Sequence, residues 1–66
     1  MKRTMTTAEL LAYVGRVGSV ELHGMQIAVR VLDSKVAYGG LRLLIEPADE
    51  RSRGQTWIEE RKVRLQ

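Results

Sequence analysis

After Gly15 the apolar residues of this chain stop recurring at helical spacing and begin to recur at every second position, and that change of period fixes most of what the chain can fold into. Val20 and Leu22 alternate with Ser19 and Glu21, and His23-Gly24 then reads as a tight turn. Met25, Ile27, Val29 and Val31 share one face of a long half-buried strand, opposite Gln26, Ala28, Arg30 and Leu32. Asp33-Ser34-Lys35 and Tyr38-Gly39-Gly40 mark a loop. Leu41, Leu43 and Ile45 resume the alternation with Arg42, Leu44 and Glu46 opposite, and Pro47 ends that strand because it has no N–H for the ladder. Residues 48–54 form a polar turn, Gln55 to Glu59 a fourth strand, and Val63 and Leu65, alternating with Lys62 and Arg64, a short fifth.

Before the switch there is room for one short helix. Thr6 and Glu9 have the spacing of a capping box, in which each side chain accepts a hydrogen bond from the other residue's backbone N–H. Met5 before the cap and Leu10 at the fourth helical position make a hydrophobic staple. Leu10, Leu11 and Val14 form one apolar stripe, and Gly15 stands where a left-handed cap belongs, which predicts a helix over about residues 7–14. The expected core joins that stripe to the strand alternation: Leu10, Val14, Val20, Leu22, Ile27, Val29, Val31, Leu43, Ile45, Ile58 and Val63.

A chain of 66 residues is one domain, expected to span residues 1–66. A domain of this size buries only about 60% of the surface its unfolded chain exposes. It has no cysteine, so no disulfide can brace it and no thiolate can hold a metal. A single histidine, His23, with no ligand partners at metal spacing points to no metal and no cofactor. No apolar run is long enough to span a bilayer, and Thr4-Met5-Thr6-Thr7 after Met1-Lys2-Arg3 does not build the apolar stretch of a signal peptide. The expectation is a cytoplasmic protein without a membrane partner.

One helix and five short strands predict an α+β fold, a short N-terminal helix packed on a five-stranded, strongly bent antiparallel small barrel, because closure disposes of the edges a tiny open sheet leaves exposed. The pattern over about residues 17–65 resembles the SH3-like small barrels in the broad sense. The residues behind the resemblance are Val20-Glu21-Leu22 before the Gly24 turn, the strand Met25–Leu32, Tyr38-Gly39, Trp57-Ile58 after Gly54, and the closing Val63-Arg64-Leu65. The aromatic groove of proline-peptide-binding SH3 domains has no counterpart, and three rings, Tyr13, Tyr38 and Trp57, are few for a cage around a methylated cation. Val20-Glu21-Leu22-His23-Gly24, followed by Val29 and Asp33, is similar to the first motif of the Sm-like RNA-binding family, which also begins with a helix and continues with five bent strands. Ser34 stands where that motif has Asn, and the Arg-Gly pair of the second motif is missing around Trp57–Val63.

Little in the chain suits catalysis. His23 precedes Gly24 and reads as a turn residue, Glu59-Glu60 adjoin Arg61-Lys62 as a solvated charged segment, and neither GxGxxG nor GxxxxGK occurs. Ser19, Ser34 and Ser52 lack a base partner. The expectation is therefore a non-catalytic binding module.

Its candidate partner-binding residues are Arg30, Tyr38, Arg42, Arg53 and Trp57: two rings for apolar area and three guanidinium forks for polar anchoring. Trp57 alternates with Ile58, so it faces outward if Ile58 faces the core. Each also has a structural reading, Trp57 and Tyr38 as rings closing the barrel and the arginines as a solvated face countered by Glu46, Asp49 and Glu50. Eleven basic against eight acidic residues give a net charge of +3, which makes nucleic acid the first partner to test, with a protein–protein adaptor or inhibitor, such as a small accessory protein of a mobile element, as the alternative. Leu32 and Leu44 fall on otherwise polar strand faces and suggest a homodimer.

Overall fold

The computed structural model describes residues 5–49 and 54–66. In chain order its elements are α1 (Thr7–Leu11), β1 (Val17–Leu22), β2 (Met25–Ala37), β3 (Gly40–Pro47), β4 (Thr56–Glu59), a single 3₁₀ turn (Glu60–Lys62) and β5 (Val63–Leu65). All strands pair antiparallel in one sheet of order β4-β3-β2-β1-β5. The protein is thus mostly β.

The capping box forms as its spacing requires. The Glu9 N–H donates to the Thr6 hydroxyl and the Thr6 N–H to the Glu9 carboxylate, each at 3.2 Å. The helix is shorter than the apolar stripe suggests. It stops at Leu11, and the N–H groups of Tyr13 and Val14 reach back only three residues, to Leu10 and Leu11. The sheet claims the backbone that follows: the Gly15 N–H donates to the Val31 carbonyl at 2.8 Å, and the Val31 N–H to the Arg16 carbonyl at 2.9 Å. Gly15 does take the left-handed conformation, with φ +87°. Val14, expected in the core, is left 42% exposed because the helix ends before it.

The β1–β2 and β2–β3 hairpins each turn on two residues with positive φ, His23-Gly24 (51° and 78°) and Tyr38-Gly39 (54° and 75°). They are flanked by the pairs Leu22↔Met25 and Ala37↔Gly40. Left-handed conformation at both central positions is the turn whose twist matches the flanking strands.

The loop expected at Asp33-Ser34-Lys35 is strand. β2 runs on to Ala37, and the ladder with β3 slips by one residue between Val31 and Asp33. Leu32 is the extra residue of this bulge. A one-residue insertion reverses which parity faces inward: Val29 and Val31 are buried before it, Ser34 after it. That reversal breaks the period-two pattern and made the segment look like a loop. Ser34 uses its inward position to tie α1 to the sheet, its hydroxyl donating to the Leu10 carbonyl.

The core consists of Val20, Val29, Val31, Leu41, Leu43, Ile45 and Val63, with Met5, Leu10, Tyr13, Ile27, Ile58 and Leu65 packed on it. Leu41 joins because β2 continues opposite it, pairing Val36 with Leu41. Leu22 leaves it: as the last residue of β1, beside the His23-Gly24 turn, it is 49% exposed.

The sheet does not close. β4 pairs only with β3 and β5 only with β1, so the expected barrel is an open sheet with two edges joined through the 3₁₀ turn. Gly18 lets β5 in: its missing side chain is where the backbone of Arg64 and Leu65 passes.

A candidate binding face on the outer side of the sheet

The alternation that buries Leu41, Leu43 and Ile45 sends Arg42, Leu44 and Glu46 to the other side of β3. The registers then assemble a face around them. Leu44 lies between Asp33 of β2 and Trp57 of β4, Arg42 between Lys35 and Glu59, and Glu46 opposite Arg30. Ile58 sits across from Leu43 and packs on the core, so its neighbour Trp57 looks outward and is half-buried against this face.

Each of the two rings here has a cation over it. The Lys35 ammonium stands 4.2 Å from the centroid of the Trp57 ring, and the Arg42 guanidinium 5.3 Å from that of Tyr38. Such contacts contribute about 0.5–1 kcal/mol at exposed sites, enough to hold a side chain in place and too little to resist a competing ligand. Tyr38 is 95% exposed at the tip of the β2–β3 hairpin. A bulky residue at positive φ is uncommon, and Asn or Gly would fit that turn with less strain.

The five sequence-derived candidates are therefore not one cluster. Tyr38, Arg42 and Trp57 stand together around the hairpin and β4. Arg30 lies at the other end, four residues along β3 at its partner Glu46, roughly 13 Å away, and forms an ion pair with that residue at 3.7 Å. Arg53 lies outside the described residues. The sequence pattern gives Leu44 as a dimer contact and Glu59 as part of a solvated charged segment, and it leaves Lys35 in a loop, so none of the three is among its candidates for this face. Had Tyr38-Gly39 been taken as a two-residue turn, the register alone would have placed Lys35 beside Arg42.

Charge on this face is mixed. Arg30, Lys35 and Arg42 are met by Asp33, Glu46 and Glu59, and Glu59 also binds Arg61 at 2.8 Å and Lys62 at 3.9 Å. Beside the tip, Ala37, Tyr38, Leu41, Arg42, Glu59 and Arg61 line a cleft of about 210 Å³.

Comparison with family models, with curated proteins and with solved structures finds no match. Elsewhere, His23 occupies a turn position with φ 51°. Among the described residues no three His, Cys, Asp or Glu side chains group as metal ligands would, and no helix is long and apolar enough to cross a membrane. An apolar pocket of about 290 Å³ opens at the far end of the sheet, lined by Val20, Leu22, Ile27, Val29, Ile45 and Pro47 among others.

Proposed function

We propose that this protein is a small non-catalytic binding module of the SH3-like type, and that it engages its partner through the outer face built around Tyr38, Arg42 and Trp57, with Lys35 added and Arg30 as an outlying anchor. The strand order, the long bulged β2 and the 3₁₀ turn between β4 and β5 support the fold assignment. One observation supports the function above the rest: two aromatic rings on the outer side of the sheet, each with a cation over it, one of them held almost fully in solvent by a strained turn. Strain persists where the surrounding structure over-determines it, and it concentrates at sites of function.

Nucleic acid is the first partner to test. A phosphate drawing Lys35 away from Trp57 would open the ring to a stacking base, so charge neutralisation and stacking would occur together. A protein partner is the second reading, and the three acids among the three cations favour it, since mixed charge suits a partner of mixed charge.

The test is an NMR titration with short single- and double-stranded oligonucleotides at two salt concentrations. Shifts at Lys35, Tyr38, Arg42 and Trp57 that fade steeply with salt support nucleic acid. Trp57→Ala then weakens binding by about 1–3 kcal/mol if a base stacks there. Tyr38→Asn keeps a residue suited to the turn while removing the ring, and is expected to lose affinity without losing stability. No shift at low salt removes nucleic acid and leaves the protein partner. Shifts confined to α1 refute the site.

A further inference from the structure

Two openings in the surface meet at one residue. Arg61, on the 3₁₀ turn, lines the cleft beside Tyr38 and Arg42, and it also lines a second groove of about 470 Å³. Lys62 and Arg64 stand in that groove with it, and Glu21 is its lining acid among the described residues. Arg64 lies opposite Ser19 in the β1–β5 ladder and Glu21 opposite Gln26 in the β1–β2 ladder, so Ser19 and Gln26 add neutral polar groups to the same lining. The two openings differ in charge. The cleft sets Arg42 and Arg61 against Glu59 and Glu60, an even balance, whereas the groove sets three cations against one acid. Arg61 and Lys62 pair with Glu59, but their side chains are 76% and 60% exposed. Exposed pairs contribute about 0–1 kcal/mol, too little to keep either cation from a phosphate.

From this arrangement we propose that the ligand is single-stranded nucleic acid, its bases stacked on Trp57 and Tyr38 and its phosphodiester backbone led over Arg61 into the groove of Lys62 and Arg64. The inference rests on the nucleic-acid reading of the outer face and narrows it. Stacking on a side chain needs a free base face, which a single strand offers and a duplex keeps inside its own stack. Phosphates need cations in surplus, and the surplus lies in the groove and not among the balanced charges around the rings. From Trp57 to Arg64 the chain covers roughly 18 Å at the rises of strand and 3₁₀ turn. At about 3.4 Å per stacked nucleotide, that length takes about five of them.

The experiment is a pair of NMR titrations of the full chain, with a thymidine dinucleotide and with hexathymidylate. The dinucleotide is expected to shift Tyr38 and Trp57 and to leave residues 62–64 unmoved, while the hexanucleotide shifts both sets. Each phosphate neutralised on a single strand steepens the plot of log affinity against log salt by about 0.7. Lys62→Gln combined with Arg64→Gln should therefore flatten that plot for hexathymidylate by about 1.4. Lys62→Gln alone, which flattens it by about 0.7, serves if the double variant does not fold. Hexanucleotide shifts that spare residues 62–64, or a salt slope the variants leave unchanged, overturn this inference while the outer face keeps its nucleic-acid reading. Equal affinity for a hairpin duplex overturns it in the same way. Silence at Tyr38 and Trp57 with both oligonucleotides overturns both readings. Displacement of hexathymidylate from the groove by hexaglutamate at equal concentration would make the groove a site for an acidic protein, and that too overturns the inference.

Discussion

Replacing Gly18 by alanine tests whether β5 is a real part of the fold. An ideal Cβ at this position falls 2.2 Å from the carbonyl oxygen of Arg64, 2.9 Å from its carbonyl carbon and 3.0 Å from the Leu65 Cα. All three are backbone atoms, so no side-chain rotation relieves the clash. Ordinary contact begins at 3.4 Å, and β5 would have to retreat by about 1.2 Å. A retreat of that size breaks the 3.0 Å bond from Gln66 to Val17 and the ladder bonds beside it, and it opens the buried side chain of Val63 to water. Burial of one valine is worth about 1.5–3 kcal/mol, and each hydrogen bond about 1 kcal/mol net. Alanine stiffens the unfolded chain relative to glycine, which returns about 0.4–1 kcal/mol. The expected net loss is about 2–4 kcal/mol, a large share of what a domain this small possesses. Gly40→Ala is the control: its φ is not positive and no atom lies within 4 Å of an added Cβ, so that variant should match or slightly exceed the parent. Urea melts of both variants, with amide exchange read at Val63 and Leu65, decide the matter. If Gly18→Ala melts within about 0.5 kcal/mol of the parent with those amides equally protected, β5 does not pack on β1 as described.

Three further outcomes are expected. Val29→Ala, at a buried position, should destabilise by about 2–4 kcal/mol, and Ile27→Ala, only half-buried, by less; equal effects in thermal melts would mean the wrong boundary for the core. Ser34→Ala removes the side-chain donor to the Leu10 carbonyl, which keeps the Tyr13 N–H, and should cost about 0.5–1.5 kcal/mol, lost first as amide protection around Leu10, so unchanged exchange there would detach α1 from the sheet. Light scattering coupled to size exclusion should show a dimer at high micromolar concentration that Leu44→Glu dissociates, because α1 docks through inward-facing Ser34 and leaves outward-facing Leu44 for another surface; the dimer covers the face proposed for the partner and should come apart as the partner binds, and a monomer throughout would refute it.

What the sequence disclosed, it disclosed through short-range physics. The capping box needs only residues 6 to 9, and the strand face of Val29 and Val31 only the parity of neighbours, and both are present as read. Long-range claims on the backbone were beyond its reach. Nothing local to residues 12–16 says that Val31 will take the bonds of Gly15 and Arg16, and so the apolar stripe predicts too long an α1 and a core place for Val14. The bulge at Leu32 is invisible for a different reason. It preserves burial while inverting parity, so a strand reader sees the polar run Asp33-Ser34-Lys35 and stops. That single inversion also hid the site, because it is what places Lys35, and not its neighbours, on the outer face above Trp57. Strand closure depends on whether two edges four elements apart come within bonding distance, which alternation does not encode; β4 and β5 stay apart.

The bulge links fold to function more directly than any motif in the chain. Without it, the inward row of β2 would continue from Val31 to Asp33 and Lys35, burying two charges and turning Ser34 out, away from Leu10. With it, one side of the same strand holds the helix and the other holds the cation over Trp57. Deleting Leu32, by contrast, removes only the extra residue and lets Asp33, Ser34 and Lys35 keep their partners Leu44, Leu43 and Arg42, so amide protection around Leu10 and the Lys35–Trp57 contact, the latter read from the fluorescence of the sole tryptophan, should both survive. A folded deletion variant that loses both would show that the β2–β3 register beyond Val31 is not what sets the two faces, and a site built by that register would fail with it.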